Sequence, residues 1–154
     1  MTYEKLLEEF GAKFGIEGLA DEGGAAALVI DDTKVDLIHD ADAGCVVIYA
    51  EIGYPPPEAN GKFGEIMLKS NHLYLGTNGG TLCQNPDTDA YVLMRPVPLA
   101  PLEGADTFGA IMEDVLLQVD NWRELLNGLH VAEVEEDEQS SEAGKLSSGG
   151  FIQV

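Results

Sequence analysis

Apolar residues recur at Tyr3, Leu6, Leu7, Phe10 and Phe14, offsets of 0, 3, 4, 7 and 11 that fall on one helical stripe. Thr2 is placed to act as N-cap and Gly15 to end the helix, while Lys5, Glu8, Glu9 and Lys13 take the wet side. The pattern changes at Gly23 and Gly24. Three short apolar runs follow, over 25–30, 35–39 and 45–52, separated by Asp-rich turns at 31–34 and 40–44. Runs of that length and composition predict a three-stranded antiparallel meander. Pro55, Pro56 and Pro57 end it, because proline has no N–H to give to a ladder. Phe63, Ile66, Met67 and Ser70 lie at helical spacing and predict a second helix over 58–71, weakened by Gly61 and Gly64. Beyond the Asn78-Gly79-Gly80 turn, 81–85 and 90–97 read as a hairpin about the turn at 86–89.

The last element has the clearest period. Phe108, Ile111, Met112, Val115, Leu116, Val119, Trp122, Leu125, Leu126 and Leu129 keep a 3–4 spacing, with Asp106 as N-cap and Gly128 near the stop. The segment 131–154 is acidic and rich in Ser and Gly, with little to bury, and is expected to be a disordered tail. The order is therefore α-β-β-β-α-β-β-α: an α+β fold with an antiparallel β-sheet flanked by helices, one domain over 1–130.

Length and hydrophobic content (154 residues, 45%) suit one domain with a proper core. Charge alters the picture. Eight Lys and Arg against 28 Asp and Glu leave a formal net charge of −20. Such a surface repels phosphate backbones and anionic lipid, so neither nucleic acid nor membrane is an expected partner; it serves solubility or attracts basic proteins. The first fifteen residues mix charge with apolar positions and contain no continuous apolar h-region, which argues against a signal peptide and for a cytoplasmic protein. No run approaches a membrane span. Cys45 and Cys83, without CxxC spacing, read as buried reduced thiols, with a single disulfide as the alternative.

Catalytic chemistry finds little footing. His39, His72 and His130 stand apart, none in a ligand spacing such as HExxH. There is no GxSxG elbow. Thr77-Asn78-Gly79-Gly80-Thr81 lacks the GK[ST] ending of a phosphate loop and precedes a strand, so its glycines read as a turn. Asp40, Asp42 and Glu51 have an EF-hand-like spacing, but Gly44 and Cys45 occupy positions where a ligand and a glycine are needed. An Asp-rich hairpin turn explains them better. No catalytic residue, no metal site and no cofactor is expected, and the chain is read as a binding protein and not an enzyme.

Taken together, the ordered features resemble the class I type III secretion chaperones, the Tir-chaperone-like family. The residues that carry the resemblance are the first helix ending in Phe10-Gly11-Ala12-Lys13-Phe14-Gly15-Ile16, the strand running into Ile30-Asp31-Asp32, and Ile66-Met67-Leu68-Lys69-Ser70-Asn71. After these come Gly80-Thr81-Leu82, the strand Tyr91-Val92-Leu93-Met94-Arg95, and a final helix with Phe108, Met112, Val119, Trp122 and Leu126. The resemblance covers about residues 2–129. It implies a homodimer that binds the N-terminal segment of a secreted effector protein in extended form and keeps it export-competent, through apolar grooves and strand addition. By that resemblance the partner-binding residues are Leu6, Leu7, Phe10 and Phe14 of the first helix and Leu28, Ile30, Val46 and Ile48 of the meander. Their alternative role is the monomer's own core, with Leu7, Phe14 and Ile30 expected as the exposed exceptions. The dimer contact falls to Phe63, Ile66, Met67 and Leu82, against the same alternative, while Trp122 and its stripe belong to the core. Two other readings compete: an acidic adaptor or inhibitor that occupies a basic protein surface, and an undetected hydrolase or calcium protein.

Overall fold

A computed structural model describes residues 1–16, 19, 23–54 and 60–146, with side chains in the last helix described up to residue 128. The three prolines at 55–57 lie outside the described residues.

Helix α1 spans Tyr3–Phe14. The Thr2 hydroxyl accepts the Lys5 N–H at 3.3 Å. Gly15 closes the helix in the left-handed region (φ 67°), where a Cβ would be strained, and the Ile16 N–H reaches back to the Gly11 carbonyl. Strands β1 (Ala25–Ile30), β2 (Thr33–Asp40) and β3 (Cys45–Gly53) form the expected meander. Helix α2 runs Asn60–Asn71 and passes through a 3-10 turn at His72–Tyr74, which the sequence pattern did not announce. Strands β4 (Thr81–Gln84) and β5 (Tyr91–Pro98) follow, then helix α3 from Ala105 to Leu146.

All five strands join one antiparallel sheet in the order β1-β2-β3-β5-β4, leaving β1 and β4 at the edges. Alternation sorts the side chains. Val35, Leu37, Val46, Ile48, Ala50, Leu93 and Val97 are buried on the face covered by α1 and α3. Each of these Val, Leu and Ile side chains contributes about 1.5–3 kcal/mol by leaving water. Helix α2 covers the far end of the sheet, where Phe63 stacks obliquely on Tyr91 at 4.7 Å and meets Trp122 edge-on at 6.0 Å. Trp122 thus belongs to the core, as its helical stripe implied.

Three boundaries differ from the sequence reading. The β1–β2 turn is only Asp31-Asp32, because Ile30 pairs directly with Thr33. Polar Thr33 and Lys34 look like turn residues, yet Thr33 is buried and accepts a hydrogen bond from Arg123. Asp106 lies inside the first turn of α3 and ion-pairs with Lys13 of α1, which ties the two helices. Gly128 does not end α3: the backbone stays helical to Leu146, since one interior glycine costs only about 1 kcal/mol and the following Ala, Glu and Gln favour helix.

One polar side chain links α3 to the sheet. The Arg123 guanidinium donates to the carbonyls of Ile52 and Glu51, each at 2.8 Å, and to the Thr33 hydroxyl at 2.7 Å. Those carbonyls sit at the bulge where β3 shifts register with β5 between Glu51 and Gly53, a place where a ladder is locally disrupted.

Candidate functional site

The C-terminal end of α1, the outer end of β1 and the second and third turns of α3 enclose an apolar groove of about 480 Å³. Phe10, Phe14 and Ile16 line one side, Val29 and Ile30 the sheet edge, and Met112 and Leu116 the α3 wall. Phe14 is 45% exposed and Val29 68%, high values for side chains of this kind. The aromatic wall is built in order: Phe108 meets Phe10 edge-on at 5.2 Å, and Phe10 carries Phe14 at 4.7 Å. Gly109 lets Phe14 lie this close, because a Cβ there would stand 2.6 Å from the far end of the ring. Two carboxylates, Asp31 from the β1–β2 turn and Glu113 from α3, complete the lining.

The groove adjoins an open strand edge. Ile30 pairs with Thr33 across the tight turn and the His39 N–H bonds the Gly24 carbonyl, so the even-numbered residues of β1 bond to β2. The backbone groups of Ala25, Ala27 and Val29 therefore point away from β2, and no strand among the described residues lies beyond them.

Of the eight residues expected to bind a partner, two remain at the surface. Phe14 is half-exposed and Ile30 partly buried, and both line the groove. Leu6, Leu7, Leu28, Val46 and Ile48 are buried in the core, and Phe10 is buried as the groove's floor. Leu7, expected as an exposed exception, is only 4% exposed: it lies on the stripe that α1 turns to the sheet. The groove residues that pattern reading missed come from α3. The stripe places Met112 and Leu116 wholly in the core and gives Gly109 no role, although a glycine inside so regular a stripe signals a close approach.

A second apolar surface lies on α2 and the 3-10 turn. Phe63, Met67 and Leu82 of the expected dimer contact are buried within the chain, and Ile66 is partly buried. Leu68, Leu73, Tyr74 and Leu75 are exposed instead, at 75%, 74%, 57% and 80%. Asn71 holds this face to β4: its side-chain amide donates to the Leu82 carbonyl at 2.9 Å and accepts the Leu82 N–H at 2.8 Å, acting as one rung of a further strand. That gives a physical task to the asparagine closing the Ile66–Asn71 segment.

The remaining candidate chemistry has structural roles. The Asp40 carboxylate accepts the Ala43 N–H at 2.9 Å in the β2–β3 turn. His39 stacks on Tyr3 at 4.7 Å. Both cysteines are free thiols, Cys45 buried and Cys83 half-buried. Burial pushes both thiols up from the usual range, with the Asp40 carboxylate adding to the shift at Cys45, so neither is activated as a nucleophile.

The model of the Tir chaperone protein (CesT) family matches residues 5–123, and the chain belongs to that family. Similar solved structures include the HopA1–SchA chaperone–effector complex, at 20% identity and a TM-score of 0.67, covering 79% of this chain and 93% of that one. The ExsC–ExsE complex gives 22% identity and 0.68, covering 82% and 97%. The heterodimeric ExoU–SpcU complex from the type III secretion system of Pseudomonas aeruginosa gives 12% and 0.57, covering 83% and 97%. At these identities the likeness is one of fold. No curated protein sequence matches the chain.

Proposed function

We propose that this protein is a class I type III secretion chaperone that holds the N-terminal segment of a secreted effector in extended form and keeps it export-competent. The observation that carries the reading is the apolar groove of α1, β1 and α3 lying against an open strand edge. An extended segment placed there would sink apolar side chains beside Phe14 and Leu116. It would also satisfy the backbone groups of Ala25, Ala27 and Val29, the combination that strand addition needs. Family membership and the chaperone–effector relatives of the same fold support this. The task is binding, so the reading involves no catalytic residue and no cofactor, and it puts the protein in the cytoplasm. Among the described residues no helix is long and apolar enough to cross a membrane.

In this reading the protein acts as a homodimer. The exposed Leu68, Leu73, Tyr74 and Leu75, next to the partly buried Ile66, form the surface that self-association would cover, with Phe63, Met67 and Leu82 as its buried support.

The test is light scattering coupled to size exclusion, on the chain alone and co-expressed with N-terminal segments of secreted proteins from neighbouring genes. We expect twice the chain mass alone and the added mass of one segment in the complex. Phe14→Asp should abolish capture, and Leu68→Asp with Leu75→Asp should yield a monomer. A protein that ignores every segment, or captures one equally well as Phe14→Asp, would overturn the groove assignment. An acidic adaptor covering a basic surface would instead lose its partner steeply between 50 and 500 mM salt.

A further inference from the structure

We infer that the segment taken up by the groove carries a lysine or arginine beside its apolar anchors, held by Asp31 and Glu113. The inference rests on the chaperone reading above and specifies what that site selects.

The two carboxylates line the same groove from different walls, Asp31 on the sheet-edge turn and Glu113 on α3, and both are exposed. Neither has an ion-pair partner among the described residues. The lysines nearest Asp31 in sequence are engaged elsewhere, Lys13 with Asp106 and Lys34 with Glu51. An anionic rim with no cation among its described lining residues, on a chain of net charge −20, puts two like charges on the lining of one apolar groove. A cation carried in by the occupant would relieve that repulsion, whereas an acidic occupant would add to it. Shielding by the apolar walls strengthens such pairs relative to open water.

The turn that presents Asp31 to the groove has a demanding backbone. Asp31 and Asp32 both lie in the left-handed region, at φ 45° and 65°. A two-residue hairpin turn with positive φ at both positions favours Asn-Gly or Asp-Gly, because glycine enters that region without a Cβ clash. Asp31 suits the first of those positions as Asn does, whereas Asp32 stands where glycine is favoured. The occupant is therefore an extended, basic and apolar peptide segment. A nucleic acid is disfavoured by the charge.

The test selects a displayed library of random 16-residue peptides on the full-length protein, in parallel with three variants: Asp31→Asn/Asp32→Gly, Glu113→Gln and Phe14→Asp. Peptides enriched by the wild type should carry Lys or Arg at a fixed offset from two or more aliphatic or aromatic positions. The Asp31→Asn/Asp32→Gly and Glu113→Gln variants should retain the apolar preference and lose the basic one. The best wild-type peptide should bind each of them at least tenfold more weakly in 50 mM salt. Asp31→Asn/Asp32→Gly should also melt a few degrees above the wild type, which excludes unfolding as the cause. Apolar peptides without basic enrichment, or basic enrichment untouched by both variants, would overturn the inference and leave the chaperone reading standing. A lower melting temperature would leave unfolding as the cause of weaker binding by Asp31→Asn/Asp32→Gly, and Glu113→Gln would then decide: unchanged binding there would overturn the inference. No selected peptide, or selection indifferent to Phe14→Asp, would overturn both. Light scattering on Phe14→Asp alone covers the other occupant: a halved mass would give the groove to a second copy of the chain.

Discussion

At the scale of single residues, the least replaceable polar group is the Arg123 guanidinium. Its three hydrogen bonds, at 2.7–2.8 Å, run to two main-chain carbonyls and a buried hydroxyl on separate strands. Arg123→Ala would remove all three bonds beside the bulge, a loss of about 2–4 kcal/mol by the usual worth of charged hydrogen bonds. Thermal unfolding should show this as a melting temperature lower by roughly 5–15 °C, with Arg123→Lys in between, because one ammonium cannot reproduce the fork. A shift under 2 °C would mean water replaces the side chain freely. Gly109 makes the opposite kind of claim. A Cβ there meets only the tip of the half-exposed Phe14 ring, which can swing outward, and alanine adds about 1 kcal/mol of helix propensity. Gly109→Ala should therefore hold the melting temperature within about 3 °C while weakening a groove-binding peptide several-fold by titration. Unchanged peptide affinity would show that the seat of Phe14 does not shape the groove.

At the scale of elements, local patterns were legible and non-local ones were not. The stripe from Tyr3 to Phe14, the Thr2 and Gly15 caps and the apolar runs of β1 and β3 as strands all appear as the chain predicts, because each depends on neighbours within one turn or one strand. The placing of β5 between β3 and β4 was not legible, since it is decided by pairing between segments some fifty residues apart. The groove was half legible for the same reason. Phe14 and Ile30 were picked out, but the wall from α3 depends on how that helix crosses α1, which no single stripe encodes. Nor could the pattern separate Leu7 from Phe14, four apolar stripe positions being equivalent until the sheet beneath them is known. The far end of α3 remains open to a simple experiment. Helical backbone alone contributes little stability in water, and the composition of 131–154 offers few apolar groups to bury. Deleting 131–154 should therefore change the melting temperature by less than about 2 °C, and a fall of several degrees would show that this segment packs on the domain.

At the scale of the whole molecule, two electrostatic effects act on stability, and pH and salt separate them. The first is self-repulsion from a net charge of −20, which lies mostly at the surface and is screened by salt. Lowering the pH from 8 to 6 makes the net charge less negative, so the melting temperature should rise, and 0.5 M salt should flatten that rise. The second is burial. Desolvation raises the thiols of Cys45 and Cys83 and the phenols of Tyr49 and Tyr91 above their ordinary values, the hydrogen bond from Asn85 only partly opposing it at Tyr49. A raised acid in the folded state means that the unfolded chain releases its proton first. The stability these groups carry is thus intact below the ordinary thiol value of about 8.5 and is lost as pH climbs through the thiol and then the phenol range. Between pH 8 and 10.5 the melting temperature should fall, and salt should not restore it, because the cost is desolvation and not the pairing of surface charges. Calorimetric scans across both ranges at 20 mM and 0.5 M salt make the comparison. If high salt flattens the alkaline fall as well as the acid rise, surface charge alone governs this protein and the buried thiols and phenols do not contribute.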